Sequence, residues 1–460
     1  MYDLLVKNGN LVTSERIYKG NVCIKDGKIA AICCDGDNVT AKQVIDASGK
    51  YVFPGAIDSH AHLNDPGFTW REDFAHGSAA AAVGGITTIV DMPLQNEPAL
   101  TNRDIFAKKE AAVSSQAYVD YCYWGGLVDY NFDNLKELDE EGCVAFKSFI
   151  GPVSPDYVSL SYGQAREAME ILAPLGARAG FHCEDYSIIK WNEAREQKKD
   201  SHTWRDFLNS RPVVAELIAT QNILEIAKET GCPVHICHVS HPQVAEAIRQ
   251  AQLEGYDITA ETCSHYLTFT EDDVMKNGSL FKCAPPLRSQ EDVERLWDYV
   301  LDGTLCCVGS DHSPCELSEK SEEKHGIFGA WGGISGIQSV MQVVYSEGVA
   351  KRGYSPTLLA QCLSEGPAKT FGIYGQKGAI EVGFDADIVI VDPEMEWEIT
   401  PESLHYVNQI SAFVGLKGKG YPELTIVRGQ VAAKLTLDND TFENTGKSRF
   451  FERRTSRVLY

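Results

Sequence analysis

Basic residues are scarce in this sequence, and long apolar runs are missing. Lys and Arg number 42 against 65 Asp and Glu, a formal net charge of -23, which argues against long-range attraction to nucleic acid or to an anionic membrane surface. No apolar run approaches the roughly 20 residues that a membrane span needs. The opening MYDLLVKNGNLV lacks the basic-then-apolar layout of a secretory signal. The expectation is therefore a cytoplasmic protein that binds neither nucleic acid nor membrane. No G-x-G-x-x-G opens a helix after the first strand of the central region, which disfavours a dinucleotide site. Cysteine is not scarce, with fourteen in the chain, but Cys306 and Cys307 are adjacent rather than spaced as C-x-x-C. Most of the others sit in apolar runs and are expected to be small buried thiols, not a disulfide framework.

What is present is an ordinary globular composition, 43% hydrophobic and 23% charged. The first fifty residues alternate β-rich runs with turn signals: YDLLVK, LVTSERIY, VCIKD, GKIAAI and QVIDASGKYVFPG. Similar signals return in GAIEVGFDADIVIVD and LTIVRGQVAAKL, so the two distant ends are expected to pair into one sheet. Between them strand-length apolar runs are each followed by a helical stretch, as TTIVDMP by NRDIFAKKEAAV, VAFKSF by YGQAREAMEILAPLG, and PVHICHVS by PQVAEAIRQAQLEG. Strand alternating with helix means βαβ units on a parallel sheet, and enough units are visible to expect an α/β protein built on a (β/α)8 TIM barrel.

In such a barrel functional side chains sit where strands end. The stretch DSHAHLND places His60 and His62 one residue apart, so that two imidazoles point to one face of a strand. Lys147 in VAFKS, His182 in AGFHCED, His238 in HICHVS and Asp311 in CCVGSDHSPC occupy equivalent strand ends. Each alone admits a plain structural reading, but one metal site explains the whole set. Imidazole and carboxylate ligands suit zinc and similar ions, which lower the pKa of a bound water towards about 7, and two ions roughly 3.5 to 4 Å apart can share a hydroxide. Asp311 is then the catalytic group that takes the proton and returns it to a leaving nitrogen. A protonated lysine cannot ligate a cation, so Lys147 belongs to the set only if deprotonated or modified, which the residues alone leave open. His235, His241, His265 and His312 also lie near strand ends and are kept as supporting or substrate-facing candidates.

The order H-x-H, Lys, His, His, Asp resembles that of the cyclic amidohydrolases, the family of dihydroorotases, hydantoinases and allantoinases, over about residues 1–435. The resemblance implies two divalent metal ions, Zn in the first instance with Co, Mn or Ni also suited. His60, His62 and Asp311 would hold one ion and His182 and His238 the other, with Lys147 carbamylated by CO2 and bridging both. It also implies a composite β-sandwich from residues 1–53 and 375–435, a catalytic barrel over 54–374, and a homo-oligomer, most often a tetramer. The remaining residues 436–460 read as an extended tail that docks on a neighbouring subunit.

Dihydroorotases carry an arginine where HAHLNDPG has Asn64, and they read MPN where this chain reads DMPLQN. Hydantoinases usually place an asparagine where AWGGISGIQ has Gly332. AWGGISGIQ, KCAPPLR and SDHSPC are similar to the allantoinase branch, which implies a small cyclic amide substrate, allantoin, opened to allantoate. On that reading Asn64, Ala284, Gly332 and Gly333 face the substrate, the glycines freeing backbone amides for it. The stretch Asn64-Asp65-Pro66-Gly67-Phe68 departs from the N-E-P-G-R usual in that branch. A hydantoinase of broader range, a dihydroorotase and a non-catalytic scaffold relative stand behind this reading, in that order.

Overall fold

The architecture comes from a computed structural model that describes residues 1–34, 39–153, 157–435 and 440–442. Eight short strands form one parallel sheet: β1 (Ala56–Ala61), β2 (Ile86–Asp91), β3 (Asp120–Gly126), β4 (Ala145–Ile150), β5 (Ala179–Cys183), β6 (Val234–Ile236), β7 (Ile258–Cys263) and β8 (Cys307–Gly309). Each pairs with the next in chain order, and just beyond β8 the His312 carbonyl accepts the N–H of His62 at 2.9 Å, closing the sheet on itself. Nearly every strand residue is buried, which is why these segments read as apolar runs rather than as alternating ones. Helices such as Arg103–Val113, Tyr162–Leu172, Pro242–Leu253 and Gln290–Leu301 cover the outside. Their starts are set by capping side chains, Asn102 accepting from the Ile105 N–H and Ser161 and Ser289 from the N–H groups of Gln164 and Asp292. The expected (β/α)8 barrel is therefore present.

The chain ends pair as expected. Tyr51–Pro54 runs antiparallel to Ile388–Glu398 and parallel to Tyr2–Val12, the central joint of a nine-stranded mixed sheet. Its arms share an apolar core that includes Val6, Val22, Ile24, Val52, Ile388, Ile390 and Ile426. Lys377 ties this domain to the barrel, its ammonium lying 2.6 Å from Asp120 and 3.2 Å from Asp385 and contacting Asp387. One stretch expected inside the small domain goes elsewhere: residues 400–413 reach over to the barrel. There the Val407 N–H donates to Glu72 at 3.1 Å, the Gln338 N–H to the Tyr406 hydroxyl at 3.1 Å, and the Ser411 hydroxyl to the Ser335 carbonyl at 2.5 Å. Of the tail at 436–460, Asp440–Phe442 adds an edge strand against Gln430–Leu435, and the rest lies outside the described residues. Among the described residues no disulfide joins the cysteines, most of which are buried. Among the described residues no helix is long and apolar enough to cross a membrane.

Candidate active site

The strand ends β1, β4, β5, β6 and β8 deliver their polar side chains to one mouth. On β1, Asp58 accepts the Ser310 N–H at 2.9 Å and its hydroxyl at 2.5 Å, which fixes the turn that presents Asp311. Asp311 and His238 adopt φ of 44° and 39°, a left-handed conformation costly for residues with a side chain. Both turns are held there by the packing around them, and both aim a donor atom inward.

The donors fall into two groups. His60 Nε2 lies 3.2 Å and His62 Nε2 3.4 Å from Asp311 Oδ1, and His182 Nδ1 lies 3.1 Å from His238 Nε2. With metal arms of about 2.0 to 2.2 Å, two atoms on one tetrahedral ion stand roughly 3.3 to 3.6 Å apart, so these spacings suit ligand sets. The rings of His60 and His238, one from each group, are 5.3 Å apart. Lys147 belongs with them: it is wholly buried, its Nζ meets only the Cys237 thiol and the face of the Phe149 ring, with no carboxylate among the described residues paired to it, and its charge acts on His60, His182 and His238 alike. A buried ammonium with no carboxylate beside it is costly. A carboxyl group carried on that nitrogen would replace the cation with an anionic oxygen donor, and the imidazole and carboxylate donors around it fit divalent metal ions.

Burial pushes His60, His182 and His238 below the ordinary histidine value, which favours the neutral imidazole that a metal accepts. Burial pushes the Asp311 carboxyl upwards, but His60 and His62 outweigh it and hold it below the usual range. Asp311 is also the donor that solvent reaches, its side chain 14% exposed against at most 5% for His60, His62 and His182. A proton carrier needs that access.

Two carboxylates that the sequence reading missed orient the ligands. Glu261 on β7 contacts His60 Nδ1 at 2.5 Å and accepts the Ser59 hydroxyl at 2.5 Å. Glu184 lies 2.9 Å from His182 Nε2 and is itself gripped by Arg211. Each fixes the ring so that its other nitrogen faces the mouth. The only available signal was a charged residue inside an apolar strand, ITAETC, and two residues after a ligand, FHCED.

The other histidines separate clearly. His235 lies beneath the mouth with Nε2 3.5 Å from Glu261. His241 caps the helix Pro242–Leu253 and pairs with Asp292 at 3.0 Å, and His312 turns away to accept the Gly336 N–H and to face Glu72 at 3.3 Å. His265 stays close to Asp311, within 4.8 Å, with the Ser310 main chain beside it.

On the substrate side, Asn64 donates from Nδ2 to the Gln95 carbonyl at 2.9 Å while its buried Oδ1 has no partner. Gln95 in turn donates to the Ser313 hydroxyl at 3.1 Å, so the loops after β1, β2 and β8 are joined by one polar chain. Ala284 is part-buried in the loop after β7, next to Pro285, whose carbonyl accepts the Tyr266 hydroxyl at 2.6 Å. The amide expected to be free at Gly333 is in use, donating to the Lys282 carbonyl at 2.9 Å. What glycine supplies there is close approach, since a Cβ would come within 2.5 Å of the Ser313 hydroxyl. At Gly332 a Cβ would meet nothing nearer than Lys282 at 3.8 Å, which leaves that position open.

Comparison with known proteins follows the same line. The model of the Amidohydrolase family matches residues 51–432. An allantoinase of Rubrobacter xylanophilus is 41% identical over 93% of this chain and 94% of its own, and an allantoinase of Escherichia coli is 38% identical over 94% and 95%. Among solved structures, the L-hydantoinase (dihydropyrimidinase) of Arthrobacter aurescens superposes with a TM-score of 0.95 at 35% identity, covering 98% of this chain and 100% of that one.

Proposed function

The chain belongs to the amidohydrolase family, and from that premise we propose that it hydrolyses allantoin to allantoate. The observation that carries the site is the buried Lys147 amine, with no carboxylate paired to it, among two groups of imidazole and carboxylate donor atoms. The observation that favours the substrate is the pair of allantoinases that match at 41% and 38% identity over more than nine tenths of the chain.

In this reading His60, His62 and Asp311 hold one divalent ion, His182 and His238 the other, and Lys147, carbamylated by CO2, serves both. Zn is the first choice, and Co, Mn or Ni also suit these donors. When bound, such ions supply Lewis acidity and lower the pKa of a coordinated water towards about 7. Asp311 receives the proton of the attacking water and returns it to the ring nitrogen as the C–N bond breaks. Glu261 and Glu184 keep the His60 and His182 rings from turning. Asn64 Oδ1, buried and without a partner, accepts an N–H of the substrate, and Gln95 and Ser313 lie beside it to meet the ureido arm. The part-buried loop at Ala284 and the open edge at Gly332 complete the wall.

A hydantoinase of wider range is the second reading, favoured by the TM-score of 0.95 to the Arthrobacter aurescens enzyme. A dihydroorotase is disfavoured because Asn64 offers no bidentate cation to a carboxylate. Assembly as a homo-oligomer and a cytoplasmic location are part of the proposal. The test is turnover of allantoin, of a hydantoin with an apolar 5-substituent and of dihydroorotate, each with and without chelator. Chelator-sensitive turnover with allantoin strongly preferred is expected. A preference for the substituted hydantoin replaces the first reading with the second.

A further inference from the structure

Two lysines remote from the ligand set are buried without a carboxylate partner among their hydrogen bonds, and both donate to main-chain carbonyls. Lys282 Nζ donates to the carbonyls of Ile327, Phe328 and Ala330 at 2.9, 2.8 and 2.6 Å. Lys320 Nζ donates to those of Ser279 and Gly333 at 2.9 and 2.6 Å. Each lysine is 5% exposed. An ammonium has three N–H donors and no acceptor, so three carbonyls around Lys282 satisfy it fully. A buried charge forms such bonds only where the carbonyls are held to meet it.

The segments tied in this way are those that wall the proposed substrate side. Lys282 lies two residues before Ala284, and the carbonyls it holds, on Ile327, Phe328 and Ala330, lie two to five residues before Gly332. Lys320 ties Gly333 back to Ser279, while the Gly333 N–H donates to the Lys282 carbonyl at 2.9 Å. The strip then backs Ser313, whose carbonyl accepts the Trp331 indole N–H at 3.2 Å. The helix Glu322–Gly329, which carries two of these carbonyls and ends before the third, is broken at Gly326, with φ of 66°, and the Ala330 N–H donates to the Gly326 carbonyl at 3.0 Å across its last turn. Neither lysine contacts a candidate metal ligand in any hydrogen bond or ion pair seen here.

We propose that Lys282 and Lys320 are positioning residues that clamp residues 327–333 against residues 279–284 through main-chain carbonyls, and so set how well the site holds and discriminates its cyclic amide. The inference deepens the proposed function and rests on it for the identity of the substrate, but the clamp itself does not. Replacing Lys282 by Met keeps the aliphatic length and removes all three bonds. Replacing Lys320 by Met removes two and serves as the second test should the first variant fail to fold.

The experiment uses the full-length, metal-loaded protein and follows three readouts: metal content, kcat and KM for allantoin and a 5-substituted hydantoin, and hydrogen exchange of residues 322–333. For Lys282→Met the expected result is faster exchange in that segment, a KM for allantoin raised tenfold or more, and a smaller preference for allantoin. Metal content is expected to be unchanged and kcat to stay within about threefold. Lys282→Arg, which keeps a cation able to reach part of the carbonyl set, should recover part of the KM. Unchanged exchange and KM would overturn the clamp. So would equal losses in kcat and metal content, which a merely structural lysine produces. If wild-type protein opens no allantoin, the substrate reading fails while the exchange measurement still decides the clamp.

Discussion

Glu261→Gln removes one charge from a group that touches no substrate, which isolates what that carboxylate does for its histidine. Glu261 is wholly buried, 2.5 Å from His60 Nδ1 and 2.5 Å from the Ser59 hydroxyl. Glutamine keeps the shape and one oxygen for the imidazole N–H, and the Ser59 hydroxyl can turn to accept from the new amide. The loss is therefore the charge, not the bond. Loss of a carboxylate behind a ligating histidine typically weakens metal affinity about 10- to 100-fold, or about 1.4 to 2.7 kcal/mol. Glutamine should fall near the lower bound. Alanine, which also deletes the hydrogen bond and leaves a cavity, should fall near the upper bound. The assay is competition against a graded chelator, with metal per chain and turnover read together. At saturating metal the glutamine variant should regain turnover to within a few-fold. Affinity unchanged in both variants, or glutamine more damaging than alanine, would refute the reasoning that Glu261 acts through His60.

Three further outcomes follow from the same geometry. Asp311→Asn should bind metal more weakly and, once reloaded at saturating metal, still lose about 10²- to 10⁴-fold in kcat, the range for a lost general acid and base, as measured by steady-state kinetics on metal-verified protein. Burial pushes Glu72 from its ordinary 4.5 up to about 8. Because the folded value lies above the unfolded one, its ionisation costs the native state nothing below about pH 4.5, a penalty that grows up to about pH 8 and then levels off. Glu72→Gln should therefore gain stability over the wild type between pH 5 and pH 8.5, by on the order of a few kcal/mol, read as a Tm difference that widens with pH, and a gap that does not change with pH would count against it. Lys377→Met leaves Asp120, Asp385 and Asp387 buried without that shared cation, Lys28 remaining beside Asp385 and Arg428 beside Asp120. A loss of about 3 to 5 kcal/mol is expected, read as a lowered midpoint in denaturant, with metal content per folded chain unchanged.

Much of the barrel was legible because its strands are buried on both faces, so that ITTIVD and AFKSFI read as strand-length, mainly apolar or β-branched segments without strict alternation. The ligand residues were legible for a related reason: a histidine, lysine or aspartate at the end of such a segment stands out. Which of several neighbouring polar residues turns inward was not legible. His238 and His241 lie three residues apart, yet one enters the mouth through a φ of 39° and the other caps a helix. Asp311 and His312 are adjacent and face opposite partners. Those choices are made by backbone conformations that no spacing rule encodes. Glu261 and Glu184 escaped notice because their partners come from other strands or are recognised only once the rings are placed. Gly333 was read for its free amide, but the decisive fact, Ser313 pressing against its Cα, is a contact across 20 residues of chain. The excursion of residues 400–413 onto the barrel likewise rests on tertiary hydrogen bonds to Glu72, Ser335 and Gln338.

The measurement that bears most directly on the site is metal content and allantoin turnover read on the same samples: metal-free protein reloaded with Zn, with and without bicarbonate, beside Lys147→Met treated in the same way. Two ions per chain and full turnover are predicted only for the wild type supplied with bicarbonate, with both falling when bicarbonate is withheld. Lys147→Met that binds two ions and turns over allantoin at the wild-type rate would contradict a carbamylated Lys147 as the group that joins the two sets of ligands.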